Sequence, residues 1–272
     1  MDTDELAVAL ALGLVQGLFE WLPVSSEGSV ALALTATGEP ADAATQFALF
    51  LHAGTAVAAL TFYRDDVLAI LRRLPEWRPG DAFDAERADL TFYAIATLVS
   101  GVVGLGAYFT LEAIVSELTG GAFVVVIGVL LVGTGLLQRG ASRWGLGERT
   151  TPDAVDAVLV GLMQGFALLP GVSRSGTTVS ALLLRGHDGE GALELSFLLS
   201  IPASLGAGVL VVVTEGVPAI SPAAAVLALA VSAVVGYLSV GALVALVRRV
   251  AFWGVCVGFG ALAVVGGAVL LV

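Results

Sequence analysis

A chain of 272 residues that is 58% hydrophobic and only 13% charged, with a mean hydropathy of +0.98, is not a soluble globular protein, since soluble chains carry about 25% charge. It reads as a polytopic helical membrane protein, and its net charge of -11, from 23 acids against 12 arginines and no lysine, argues against a nucleic-acid partner. Its one cysteine, Cys256, excludes an intramolecular disulfide, and with only His52 and His187 available there is no Cys/His metal cluster, so any metal must be held by oxygen. The lysine-free, acid-rich composition suits a high-salt organism; a GC-rich genome, which favours Arg, Ala, Gly and Val codons, explains it equally well.

Residues 1–5 are acidic where a cleaved signal peptide would be basic, so no such leader is expected. Residues 7–18 are apolar yet too short to span, and they stop at Glu20, Pro23 and the polar run Ser25-Ser26-Glu27-Gly28-Ser29. A second short apolar piece, residues 30–34, follows. Two short helices around a polar turn predict a re-entrant hairpin, which a membrane tolerates only where the backbone lines a cavity or is buried in protein. Residues 44–62 are long enough to cross and carry His52 near their middle. For a lone histidine there, a hydrogen bond to a neighbouring helix is the preferred reading over a place in a polar site.

Residues 63–89 hold five arginines among seven acids and must be a loop, with an amphipathic turn at residues 67–74. Residues 90–109 cross back, and a link bearing Glu112 and Glu117 leads to a further span, residues 121–137, which runs into Arg139, Arg143 and Arg149. Residues 155–169 and 177–184 form a second pair of short pieces. His187, Asp188, Glu190 and Glu194 then read as solvated loop charge with helix capping. Residues 195–213, 223–247 and 251–272 complete the chain as spans; Gly260, Gly266 and Gly267 indicate close helix packing or a homodimer face.

The predicted fold is therefore an all-α polytopic membrane protein with six spanning helices plus two re-entrant hairpins in a single integral membrane domain. With that count the arginines at 64–87, 139–149, 185 and 248–249 fall on one side, which the positive-inside rule makes cytoplasmic. An internal repeat supports it. At an offset of 148 residues, Gly13-Leu14-Val15-Gln16-Gly17 falls on Gly161-Leu162-Met163-Gln164-Gly165, Val24-Ser25 on Val172-Ser173, Gly28 on Gly176, and Phe50-Leu51 on Leu198-Leu199. Three crossings separate the copies, residues 6–137 and 154–272, so the second is inverted, and inverted repeats of broken helices mark a binding site where they meet.

Topology leaves Arg174 unexplained. It sits in Leu168-Leu169-Pro170-Gly171-Val172-Ser173-Arg174-Ser175-Gly176-Thr177-Thr178, between apolar flanks, where an arginine costs about 2.5–3.5 kcal/mol on insertion scales. Either it snorkels to the membrane edge, or it faces a polar cavity with an anionic partner, where its planar fork of donors suits phosphate oxygens. Pro170 and Gly171 break the arriving helix and a second starts near Ser175, so free N–H groups point into the same space. The repeat brings Glu20, Ser25, Ser26 and Glu27 against Arg174, Ser173 and Ser175. Carboxylates supply oxygen ligands for Mg²⁺ or Ca²⁺, hydroxyls supply nucleophiles or phosphate donors, and together they suit a diphosphate. Gln16 and Glu20, four apart, share a helical face. Helix capping is the alternative for Ser25 and Ser26.

These motifs resemble those of the undecaprenyl-diphosphate phosphatase family of membrane enzymes, also called the bacitracin-resistance family. Gln16-Gly17-Leu18-Phe19-Glu20 is similar to its (E/Q)xxxE motif, Pro170–Thr178 matches its PGxSRSxxT motif, and Phe197-Leu198-Leu199-Ser200-Ile201-Pro202 resembles a third family segment. The resemblance implies removal of the terminal phosphate from a C55-type polyprenyl diphosphate, a divalent cation, and a cell-membrane site open to the outer face. It implies Ser26 as nucleophile, Glu20 as metal ligand or acid/base group beside Gln16, and Arg174 as diphosphate clamp. Ser25, Ser173, Ser175 and Thr178, with Gly171 and Gly176, would bind phosphate. Many family members carry histidine where this chain has Ser29, which leaves attack by serine or by water open; Glu27 is expected to supply a second carboxylate. A polyprenyl-phosphate flippase or transporter using the same repeat is the alternative function.

Overall fold

Eleven α-helices and no β-strand occur among the residues that the computed structural model describes, 3–84, 86–115, 118–144, 147–247 and 249–271. Of the sequence-predicted features, Glu117 and Arg248 lie outside the described residues, as do the side chains of Glu112 and Arg143. Five helices are long and apolar enough to cross a membrane, which makes this a multi-pass membrane protein: α3 (Ala41–Phe62), α5 (Ala88–Val115), α6 (Gly120–Trp144), α9 (Gly189–Thr214) and α10 (Pro222–Val247). A sixth apolar helix, α11 (Trp253–Val269), has 17 residues, at the lower limit for a span. The charged loop contains α4 (Arg64–Arg73), a full amphipathic helix where only a turn is predicted, with Asp65 and Asp66 in its first turn and Arg72 and Arg73 in its last, complementing the helix dipole.

The four short helices form two broken pairs, α1 (Thr3–Phe19) with α2 (Ser26–Ala36), and α7 (Ala154–Phe166) with α8 (Arg174–Leu184). The helix α8 starts within one residue of the Ser175 expected, whereas α2 starts four residues before the apolar piece at 30–34. Ser25 caps α2, its Oγ accepting from the Gly28 N–H at 3.2 Å, and Ser173 caps α8, accepting from the Gly176 N–H at 3.2 Å. The caps satisfy a free N–H, so polar residues that read as turn become the first helical turn.

Small residues set how closely the broken pairs are held. Gly13 and Gly17 of α1 press on α10, where an added Cβ would lie 2.7 Å from Ala228 O and 2.9 Å from Val235 Cβ. Gly161 and Gly165 of α7, at the repeat-equivalent positions, press on α5 in the same way, 2.8 Å from Val99 Cβ and 2.6 Å from Val103 Cβ. Helices α6 and α11 pack through Gly128 with Gly260 and Gly121 with Gly267, so these two α11 glycines serve packing within the chain, while Gly266 faces open space. Where the two broken pairs meet, Gly171 has φ +99° and donates its N–H to Ser25 Oγ at 3.1 Å, and a Cβ there would stand 2.5 Å from Ile127 O.

One ionic cluster ties the start of α7 to the end of α8. The fully buried Asp156 carboxylate accepts from Arg185 Nε at 2.8 Å, Arg149 Nη2 at 3.0 Å and the Asp153 N–H at 2.9 Å, and pairs with His187 Nε2 at 2.9 Å. His187 is thus a buried hydrogen-bond partner of Asp156, not the solvated loop charge expected from sequence, because its loop folds back against the start of α7. Asp188 caps α9 as expected, accepting from the N–H groups of Glu190 and Gly191.

Two stability predictions follow from this packing, both read as thermal unfolding in detergent. Asp156→Ala strips a fully buried acceptor from His187 and the Asp153 N–H, while the part-exposed Arg149 and Arg185 keep their pairs with Asp153, and is expected to destabilise by about 1–3 kcal/mol; Arg87→Ala, which removes a half-exposed pair with Asp81, should cost no more than about 1 kcal/mol. Gly186, also at positive φ, has no neighbour closer than Arg149 Cδ at 3.9 Å from an added Cβ. Gly186→Ala should therefore cost only the conformational term of about 1–2 kcal/mol, and Gly171→Ala clearly more; equal costs would show that the backbone crossing is not tight.

Candidate active site

The turn after α1 places Glu20 at the mouth of the crossing. Gln16, one helical turn earlier, donates Nε2–H to Glu20 Oε2 at 3.0 Å, as the spacing of four predicts. Ser26, the first residue of α2, donates its hydroxyl to the same oxygen at 2.9 Å. Arg174, the first residue of α8, donates from Nη2 to Glu20 Oε1 at 2.6 Å. Glu20, Glu27 and Arg174 are 6%, 6% and 9% exposed, so the arginine does not snorkel; it is paired inside the protein. Its guanidinium also reaches toward Ser196 O at 3.5 Å and lies 6.0 Å over the Phe197 ring.

The pocket between the two turns is lined by Glu20, Leu22, Ser25, Ser26, Glu27, Ser173, Arg174 and Ser175, and its volume is about 10 Å³. That is room for about one water. Its walls are the first residues of α2 and α8, so two helix N-termini converge on it and favour negative charge there. Two larger apolar cavities adjoin it. One, of about 380 Å³, shares Ser175 and includes Trp21, Val179, Leu183 and Phe197; the other, of about 440 Å³, shares Ser25 and includes Leu32, Leu131, Phe252 and Phe259.

The sequence-predicted residues divide into three groups. Glu20, Ser26, Glu27, Arg174 and Ser175 face the pocket with Ser25 and Ser173. The hydroxyls of Ser25 and Ser173 are engaged as helix caps, and Ser25 Oγ additionally donates to Glu27 Oε2 at 3.3 Å. Gly171, Gly176 and Thr178 do not line it. Gly171 and Gly176 spend their N–H groups on Ser25 and Ser173, and Thr178, fully buried one turn into α8, donates to Arg174 O and meets Ser196 Oγ at 2.7 Å. Gln16 is buried behind Glu20, and its Oε1 has no hydrogen-bond partner.

Several contributors carry no strong signal in the sequence. His52, from α3, has Nε2 at 2.8 Å from Glu27 Oε1 and 3.4 Å from Glu20 Oε2, so the hydrogen bond to another helix expected of it is a bond to the site itself. Thr134 of α6 accepts from the Ser173 N–H at 3.4 Å, and Gln138 donates to Pro23 O at 2.7 Å, bracing the two turns from one side. Thr134 and Gln138 sit in an otherwise apolar span, where a polar residue is a weak signal with no partner named.

For a divalent cation the donor chemistry fits. Glu20 and Glu27 are hard oxygen ligands facing the pocket, and Gln16 Oε1, on the amide whose Nε2–H meets Glu20, is a further buried oxygen with no partner. Among the described residues no three His, Cys, Asp or Glu side chains are grouped to hold a metal on their own. This donor set therefore suits an ion that keeps waters and takes substrate oxygens, as Mg²⁺ does.

Residues 9–265 match the family model described as bacitracin resistance protein BacA. The chain is 62% identical over 267 residues to an undecaprenyl-diphosphatase of Haloarcula marismortui, covering 97% of this chain and 98% of that protein. It is 37% identical to one of Methanococcoides burtonii, covering 95% and 97%, and 38% identical to one of Geobacter sulfurreducens, covering 89% of each. With Ser26, Glu20 and Arg174 of its paired motifs in one buried chain of hydrogen bonds, and a family match along nearly its whole length, the chain belongs to the bacitracin resistance protein BacA family.

Proposed function

We propose that this protein hydrolyses the terminal phosphate from a polyprenyl diphosphate, releasing inorganic phosphate and the polyprenyl phosphate carrier for reuse. The observation that carries the reading is the chain Ser26–Glu20–Arg174, at 2.9 and 2.6 Å, joining a nucleophile, a base and a phosphate-binding cation. In this reading the diphosphate takes Arg174 and the free N–H groups of α2 and α8, displacing Glu20 Oε1 from the guanidinium. Glu20 then accepts the Ser26 proton as Oγ bonds to the terminal phosphorus and the phosphoanhydride P–O bond breaks, the electron pair leaving with the lipid phosphate. Glu20 passes that proton to the departing lipid phosphate; water then attacks the phosphoserine phosphorus, giving its proton to Glu20, and the Oγ–P bond breaks with the proton returned to Ser26 Oγ as inorganic phosphate leaves. Glu20, Glu27 and Gln16 would hold a Mg²⁺ or Ca²⁺ ion, which when bound neutralises diphosphate oxygens as charge develops on them. Glu27 is the second carboxylate, shared between the cation and the acid/base work.

The apolar cavities beside Ser25 and Ser175 give the isoprenoid chain a place next to the reacting phosphorus. The α1–α2 and α7–α8 pairs are read as re-entrant hairpins in an inverted repeat with six spans, counting α11, set in the plasma membrane with the pocket facing outward. Serine caps at an offset of 148 residues and glycine faces repeated between α1 and α7 support this topology.

The test is phosphate release from a C55 polyprenyl diphosphate by the purified protein in detergent, at salt that keeps it folded. Wild type should turn over and lose activity in EDTA. Ser26→Ala and Arg174→Ala should each lose about 10³-fold or more in kcat, and Arg174→Lys at least about tenfold, because a point charge does not replace the planar fork. Glu27→Gln should lose about 10²-fold; near-normal turnover and metal dependence in that variant would remove Glu27 from the chemistry. No release by the folded wild type would overturn the hydrolase reading and leave transport of the lipid phosphate to be assayed in vesicles.

A further inference from the structure

Two carboxylates, Glu20 and Glu27, face one small pocket and are almost fully buried. Like charges so placed repel, so each needs donors that fix where it points. Arg174 fixes one oxygen of Glu20 and Gln16 with Ser26 the other, whereas Ser25 Oγ reaches Glu27 only at 3.3 Å. The remaining contact comes from α3. His52 Nδ1 lies 2.9 Å from Ala48 O on its own helix, which sets the ring plane, and Nε2 stands 2.8 Å from Glu27 Oε1 and 3.4 Å from Glu20 Oε2. With Nδ1 directed at a carbonyl and Nε2 at a carboxylate, the ring acts as a bracket between backbone and site. The ring is 4% exposed and is not part of the pocket wall, so it meets no substrate directly.

The depth of this bracket is fixed by its neighbours in the chain. Ala53 packs against Gly208 of α9, where an added Cβ would come within 2.9 Å, and Gly54 lies directly against Ser232 of α10. Small residues next to His52 thus clamp α3 between two spans at the level of the crossing.

We propose that His52 is a positioning residue for the hydrolysis, holding Glu27 away from Glu20 so that Glu20 stays free to accept the Ser26 proton. The inference rests on the phosphatase reading above and extends it to a residue outside the pocket wall. Because Arg174, the helix N-termini and the apolar cavities bind the lipid diphosphate without His52, its loss falls on turnover and spares binding.

The experiment is steady-state phosphate release from a C55 polyprenyl diphosphate by wild type, His52→Ala, His52→Gln, Glu27→Ala and the Glu27→Ala/His52→Ala double variant, with thermal unfolding of each. His52→Ala should lower kcat by about 30-fold or more with KM within about threefold, and His52→Gln, which retains an N–H donor, should recover at least about fivefold of that loss. In the Glu27→Ala background the same His52→Ala change should cost no more than about threefold, since the group it holds is gone. Losses that multiply in the double variant, losses confined to KM, or turnover of His52→Ala equal to wild type would each overturn the proposal. If His52→Ala does not fold, His52→Gln decides: a reduced kcat at unchanged KM and unfolding temperature supports the role, and unchanged kcat overturns it. Inactive wild type under these conditions would overturn the phosphatase reading itself.

Discussion

The Arg174–Glu20 ion pair, 2.6 Å long and joining residues 154 apart in sequence, is the interaction on which the site depends. A guanidinium at this depth between apolar flanks is tolerable only if an anion meets it, and a glutamate at the end of α1 is tolerable only if a cation meets it. Each is the other's reason for being there. The pair also fixes register, because Glu20 must arrive from one broken helix and Arg174 from the other, and both breaks must stand at the same level. Gln16 and Ser26 then complete Glu20 with neutral donors, so the carboxylate is held by three groups from two hairpins.

That level is set by backbone contact. Gly171 at φ +99°, with Ile127 O filling the space where a Cβ would be, lets the second turn press on the first until its N–H reaches Ser25 Oγ. The hydroxyl of Ser25 therefore works in three directions: it caps α2, receives the second hairpin and donates to Glu27. Glycine faces on α1 against α10 and on α7 against α5 carry the same constraint outward, each short helix being anchored on a span from the other half of the chain. A close crossing leaves a pocket of only about 10 Å³, which is what turns buried dipoles and charges into strong ones by keeping bulk water out.

Much of this was legible in the residues, and the failures are physical. Five long spans, two broken pairs and the meeting of Glu20, Ser26 and Glu27 with Arg174 and Ser175 are readable because apolar length, proline and glycine breaks and one costly arginine are local signals. The start of α2 is less legible, because the polar run 25–29 looks like a turn unless the capping alternative for Ser25, which the structure shows, is chosen. Thr178 belongs to the motif by spacing, yet one helical turn beyond Arg174 its hydroxyl returns to that residue's carbonyl and to Ser196 instead of reaching the pocket. His187 departs from its reading as loop charge, and His52 makes the expected bond to another helix but to a partner that the sequence does not name, both for one reason. His52 and His187 find their carboxylates 25 and 31 residues away on other elements, and a lone imidazole in an apolar or loop context names no partner.

Under the proposed chemistry, the closed Arg174–Glu20 pair of the pocket without substrate becomes part of the mechanism. Arg174 cannot hold Glu20 and a phosphate oxygen with the same Nη2–H, and a pocket the size of one water cannot admit a diphosphate while that pair is closed. Substrate must therefore exchange with Glu20 on the guanidinium, and the exchange turns Glu20 from an ion-pair partner into an acceptor whose nearest donor is the Ser26 hydroxyl. Binding of the correct head group thus frees an acceptor beside the nucleophile at the moment the phosphorus arrives, while in the empty pocket Glu20 stays committed to Arg174. This coupling requires that something other than Arg174 keep the two carboxylates apart once the pair opens, and α3, locked by Ala53 and Gly54 between α9 and α10, brings His52 to that place.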